Sequence, residues 1–97
     1  MKYQKKPVIV ETMTFNELVE YGLSHSDNIV NGVPWSFSIN GHPISHENDD
    51  CYIISTLEGT HHITRNDILI IGVKGEIYPC KLDIFEMTYE RVEQIYK

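Results

Sequence analysis

Residues 51–80 read CYIISTLEGTHHITRNDILIIGVKGEIYPC. Short runs of β-branched and aromatic residues alternate here with residues that turn the chain. CYIISTL reads as a strand, Glu58-Gly59 turns it, and THHIT returns. Arg65-Asn66-Asp67 is a second turn, and Ile68–Ile71 (ILII) is apolar throughout. Such a run is expected in the centre of a sheet, covered on both faces. GVKG leaves that strand, and Gly72 and Gly75 suit a tight turn or bulge that needs positive φ. EIYPC is the next strand, with Pro79 near an end or edge.

The same rhythm extends upstream. In PWSFSIN, Trp35, Phe37 and Ile39 point one way and Ser36 and Ser38 the other. Asn40-Gly41 then signals a two-residue hairpin, because both residues tolerate positive φ. HPISHENDD is polar and reads as a loop or a weak edge strand. LSHSDNIVNGVP, rich in Ser, Asn, Asp and Gly, reads as a loop. The opening KKPVIVETMTF is β-branched and alternating, a strand with Pro7 at its start. TFNELVEYG carries Thr14 and Glu17 at capping-box spacing, with Met13 and Leu18 placed for a hydrophobic staple. It predicts a short helix that stops at Gly22, with Asn16 as an alternative cap and Phe15, Leu18, Val19 and Leu23 as its apolar face.

Downstream, DIFEMTYERVEQIYK fits two periods. Phe85, Met87 and Tyr89 alternate as in a strand, while Ile84, Phe85, Thr88, Tyr89, Val92 and Tyr96 fit a helix nearly as well. The strand is the expected reading through Tyr89, with a frayed or short helical end. The predicted architecture is α+β, mainly β. It is a small curved antiparallel sheet or open barrel of about six or seven short strands, with one short helix closing one side.

The chain has 97 residues and reads as a single domain spanning 1–97. A hydrophobic share of 41% suits a globular domain. No apolar run reaches the length of a membrane span. The N-terminus shows no small-residue cleavage site, so no signal peptide is expected and the expected compartment is the cytoplasm of a bacterial host cell. Cys51 and Cys80 are then expected as buried thiols.

Charge is distributed unevenly around a net value of −6. From Glu11 to Thr64 there is no lysine or arginine, while Glu11, Glu17, Glu20, Asp27, Glu47, Asp49, Asp50 and Glu58 fall in that stretch. Such a surface does not favour direct contact with nucleic acid. It favours a basic protein partner, although charge of this size also simply keeps a small domain soluble.

Two segments carry a resemblance. MKYQKKPVIVE and STLEGTHHITRNDILIIGVKGEIYPCKLDIFEMTYE cover about half the chain. They resemble a widespread family of small phage and prophage proteins that close on G-V-K-G-E-(F/Y)-Y-P-C-K-x-D-I-F-E. The resemblance implies an origin and a fold family, not a reaction. Two positions depart from the family pattern. Arg65-Asn66-Asp67 replaces Pro-Gly-Asp, with Asn66 expected to supply the left-handed conformation. Leu82 replaces a proline, which loosens the bend before Asp83.

Candidate chemistry is sparse. His42, His46, His61, His62, Cys51 and Cys80 are the soft or borderline metal ligands, but no C-x-x-C occurs. His61 and His62 are adjacent, so on a strand they face opposite ways. The turn-Asp-strand-Gly rhythm of THHITRNDILIIGVKGE is similar to that of cupins, without their His-x-His pair. Cys80 beside Lys81 has a cation near its thiol, yet apolar strand neighbours favour packing. Asp49-Asp50 supplies paired carboxylates without a fixed geometry. Tyr78, Phe85, Tyr89 and Tyr96 could stack bases, but Glu76, Glu86, Glu90 and Glu93 are interspersed among them.

No convergent catalytic constellation emerges, so a non-enzymatic role without catalytic residues or cofactor is expected. The expected activity is binding a host or phage protein. One example is inhibition of a host nucleic-acid-handling or defence protein, such as a CRISPR effector, through Glu47, Asp49, Asp50 and Glu58. The alternative is a small-molecule- or metal-binding barrel, a cupin-like enzyme among the options, using His61 or His62. An uncovered edge strand could pair two copies into a homodimer.

Overall fold

A computed structural model describes residues 1–4 and 6–92. The elements run β1 (Glu11–Thr14), α1 (Phe15–His25), β2 (Asn28–Val30), β3 (Val33–Ile39), β4 (His42–Asn48), β5 (Cys51–Thr56), β6 (Gly59–Thr64), β7 (Asp67–Ile71), β8 (Ile77–Lys81) and α2 (Leu82–Thr88). β2 to β6 form a five-stranded antiparallel meander, and β1, β7 and β8 form a second antiparallel sheet with β7 in the middle. The expected mainly-β α+β class holds. The two sheets do not close into a barrel, and the described residues hold eight strands and two helices.

The local signals explain most elements. Thr14 caps α1, with its hydroxyl accepting from Glu17 N and the Glu17 carboxylate accepting from Thr14 N at 2.9 Å. This reciprocal pair satisfies two of the donors that every helix N-terminus leaves free. Asn40 (φ 52°) and Gly41 (φ 79°) make the β3–β4 hairpin as predicted. Asn31 (φ 52°) and Gly32 (φ 76°) make a second one inside the stretch read as a loop, where β2 pairs with β3.

α1 lies on the inner face of the meander, with Phe15, Leu18 and Gly22 buried. Full burial of Leu18 contributes about 2 kcal/mol. Gly22 is not the helix stop. A Cβ there would lie 2.6 Å from the Phe37 ring and 2.8 Å from Pro34, so its lack of a side chain sets how closely helix and sheet approach. The helix continues to His25 and ends where Ser26 N donates to the Gly22 carbonyl, at 2.8 Å. Leu23 stays exposed.

The core joins Phe15 and Leu18 to Ile39, Ile44, Tyr52, Ile54, Ile63, Leu69 and Ile77. Tyr52 is fully buried and donates its hydroxyl to the Pro34 carbonyl at 2.7 Å, which makes burial of the phenol tolerable. Ile68–Ile71 behaves as expected. Leu69 and Ile71 belong to or pack against this core, while Ile68 and Ile70 are buried on the other face, the one opposite Tyr78 and Cys80.

Four further expectations fail, each for a physical reason. His42–Asn48 is a central strand, because Ile44 is buried and only alternate positions must be apolar. Its Pro43 pairs with Ser38 on one side but lies outside the β4–β5 register, which begins at Ile44↔Ile54, so its missing N–H interrupts no ladder. The opening strand is short: β1 starts at Glu11, paired with Ile71, and beyond Ile71 the chain turns away and leaves Val8 and Ile9 unpaired and exposed. Residues 82–88 are helical, not extended; Thr88 Oγ1 donates to the Ile84 carbonyl at 2.8 Å. Of the frayed or short helical end expected after Tyr89, residues 90–92 are neither helix nor strand, and residues 93–97 lie outside the described residues. Gly72 needs no positive φ; a Cβ there would collide with the Glu76 side chain, whose Oε1 accepts from Lys74 N at 3.1 Å, and Gly75 alone supplies the left-handed turn (φ 83°).

No helix among the described residues is long and apolar enough to cross a membrane.

Candidate functional site

The polar end of the meander gathers around the β4–β5 turn, Asp49-Asp50. Arg65, in the β6–β7 turn, clamps it. Its Nε donates to Asp50 Oδ1 at 2.6 Å, Nη2 to the Asp49 carbonyl at 3.0 Å, and Nη1 to Asn16 Oδ1 at 3.3 Å. The guanidinium also lies 4.9 Å from the Phe15 ring centroid. One fork thus ties helix, turn and core together, which lysine's single ammonium could not do. Asn66 does not take the left-handed conformation expected of it. Asp67 Oδ2 holds the turn instead, accepting from Thr64 N at 2.8 Å and from Thr64 Oγ1 at 3.0 Å.

Asp49 pairs with His46 at 2.9 Å. The His46 ring stacks on Trp35 at 5.0 Å and meets the edge of Tyr52 at 5.5 Å. Burial, and then the Asp49 charge, push the Tyr52 phenol above its ordinary value.

Glu47 belongs to a different cluster. A β-bulge between His46 and Asn48 interrupts the β4–β5 register. Cys51 stands opposite Thr64 and His62 opposite Ile53, so both share the outer face of the sheet with Glu47. His62 Nε2 lies 3.2 Å from Glu47 Oε2, and the Cys51 thiol donates to the same oxygen at 3.5 Å. Among the described residues, this is the trio of histidine, cysteine and carboxylate side chains whose ligand atoms all lie within 4.8 Å of one another. Burial, then the hydrogen bond and charge of Glu47, push the Cys51 thiol up, so without a metal it carries its proton.

The sequence-derived candidates therefore separate. Glu47, Asp49 and Asp50 are near one another in the chain, but each carboxylate is engaged, with His62, His46 and Arg65 respectively. Glu58 sits in the turn at the far end of β5, roughly 20 Å away by strand rise, and joins none of them. His61 and His62 do face opposite ways, and His61 Nε2 meets Thr56 Oγ1 at 3.2 Å instead of His62. Cys80 is a free thiol in the other sheet from Cys51.

A second surface was not singled out from sequence. α2 buries none of its residues, and Leu82, Ile84 and Met87 remain exposed. Between this helix, the chain that follows it and the N-terminal segment runs a groove of about 640 Å³ where Val8, Ile9, Phe85 and Tyr89 lie beside the charged Glu90 and Arg91. Phe85 stacks on Tyr89 at 4.8 Å along its wall. The helical period of the tail was the signal that could have revealed it.

No family model matches the chain, and no curated protein or solved structure matches it either.

Proposed function

We propose that this chain is a non-catalytic binding module that docks a protein partner through the apolar face of α2 and the N-terminal segment. The observation that carries the reading is the helix itself: seven residues, none buried, with Ile84 48% and Met87 85% exposed, while Val8 and Ile9 line the groove on its Phe85 and Tyr89 side. Exposed apolar side chains gathered on one short element of a small domain mark an interaction surface. Asp83, Glu86 and Glu90 outnumber Lys81 and Arg91 along residues 81–91, and the chain carries −6 overall. The partner is therefore one with an apolar patch bordered by lysine and arginine. A second copy of this chain would bring like net charges together, which opposes that pairing.

The resemblance to small phage and prophage proteins supports an accessory role in an infected cell. A host nucleic-acid-handling or defence protein fits the partner's chemistry, because a phosphate-reading surface is basic. We place the contacts on α2 in preference to Glu47, Asp49, Asp50 and Glu58, the first three of which already carry intramolecular pairs.

The test compares tagged wild-type chain with Ile84→Asp/Met87→Asp in capture from phage-infected cells, followed by titration of the purified partner. Neither side chain is buried, so circular dichroism should be unchanged. The expected result is a partner with a basic surface, bound at least about tenfold more weakly by the variant and more weakly at high salt. Equal affinity for both chains would overturn the reading. So would sedimentation showing that the face is covered by a second copy.

A further inference from the structure

We propose that Glu47, Cys51 and His62 form a binding site for a zinc-class divalent cation on the outer face of the five-stranded sheet. The site is independent of the α2 docking face and lies on the other sheet.

Ligand type is the first reason. One thiol, one imidazole and one carboxylate are the donor classes that tetrahedral zinc takes, and sulfur argues against the hard cations calcium and magnesium. Geometry is the second. With zinc–sulfur near 2.3 Å and zinc–nitrogen and zinc–oxygen near 2.0–2.1 Å, tetrahedral angles place nitrogen and oxygen ligands about 3.3 Å apart and sulfur and oxygen ligands about 3.6 Å apart. His62 Nε2 and Glu47 Oε2 are 3.2 Å apart, and Cys51 Sγ and Glu47 Oε2 are 3.5 Å apart. Two of the three donor pairs already stand at the spacings of coordination edges, and the third, Cys51 Sγ to His62 Nε2, lies within 4.8 Å. Three neighbouring strands supply them: the bulge of β4, the first residue of β5 and the middle of β6.

Binding is a proton-for-metal exchange. The Cys51 thiol proton leaves to solvent as the thiolate takes the cation, and His62 binds as the neutral imidazole. The exposed outer face leaves the fourth position to water, so the site is open in the manner of three-ligand zinc centres.

The experiment titrates zinc and its spectroscopic substitute cobalt(II) into the reduced, metal-free full chain. One cobalt per chain should bind, with a sulfur-to-cobalt charge-transfer absorption. Cys51→Ser should abolish that absorption, and His62→Gln and Glu47→Gln should each weaken zinc binding at least about tenfold. His61→Gln and Cys80→Ser should leave both readouts unchanged, because those side chains lie elsewhere. Zinc should raise the melting temperature only of chains that keep all three ligands. The assignment is overturned by absorption that survives Cys51→Ser, by absorption that disappears in Cys80→Ser, or by the lack of stoichiometric binding in the wild type.

Discussion

Tyr78 stands opposite Ile70, on the face of β8 that turns away from the main core. Burial, then its hydrogen bond and interaction with Tyr89, push its phenol up to about 12. The unfolded chain releases that proton near the ordinary value of 10. Between roughly pH 10 and 12 the unfolded state thus binds fewer protons than the folded one, and stability falls as pH rises. Tyr78→Phe should flatten that fall, seen as smaller shifts in urea midpoint above pH 10; an unchanged slope would refute the assignment. Single residues whose role is local were legible in advance. Thr14 and Glu17 cap a helix within one turn, and Asn40-Gly41 closes a hairpin within four residues. The Glu47–Cys51–His62 trio was not legible, although each member was individually notable. It depends on a bulge and on a diagonal across two strand pairs, and neither leaves a spacing signature.

At the scale of elements, α1 fits closely against β3. Gly22→Ala gains up to about 1 kcal/mol of helix propensity but forces a methyl group into Phe37 and Pro34. Overpacking of this kind costs about 1–3 kcal/mol, so a net loss is expected in urea unfolding. Phe37→Leu in the Gly22→Ala background should recover part of it. Elements with strong one-sided patterns, α1 and Ile68–Ile71, were readable from periodicity. β4 was not, because a strand with one buried isoleucine among polar residues looks like a loop. α2 was misread for a related reason. It is short, both periods fit it, and no burial selects between them.

Across the whole molecule, a few side chains join parts distant in sequence. Asn40 Nδ2 donates to the Gly75 carbonyl at 3.2 Å, linking the β3–β4 hairpin to the turn between β7 and β8. Arg65 joins α1, the β4–β5 turn and its own turn. Its pair with Asp50 is largely exposed and would contribute little alone. The added contacts to Asn16, the Asp49 carbonyl and the Phe15 ring make the fork matter more than the charge. Arg65→Ala should lower stability by about 1–2 kcal/mol, and Arg65→Lys should restore little of it. Full rescue by lysine, read from thermal or urea unfolding, would show that charge alone acts.

The chain's own order of residues determined the β-rich class, the capped first helix, the tight turns and the doubly buried β7, because each depends on neighbours within a few positions. Tertiary structure decided that β1 pairs with β7 instead of extending alone, that the strands divide into two open sheets, and that α2 keeps an uncovered face. It also decided that Asp49 and Asp50 pair with His46 and Arg65 at the surface while Glu47, Cys51 and His62 meet. Those outcomes depend on strand order and register, which bring together residues far apart in the chain and are set by the packing of the whole core.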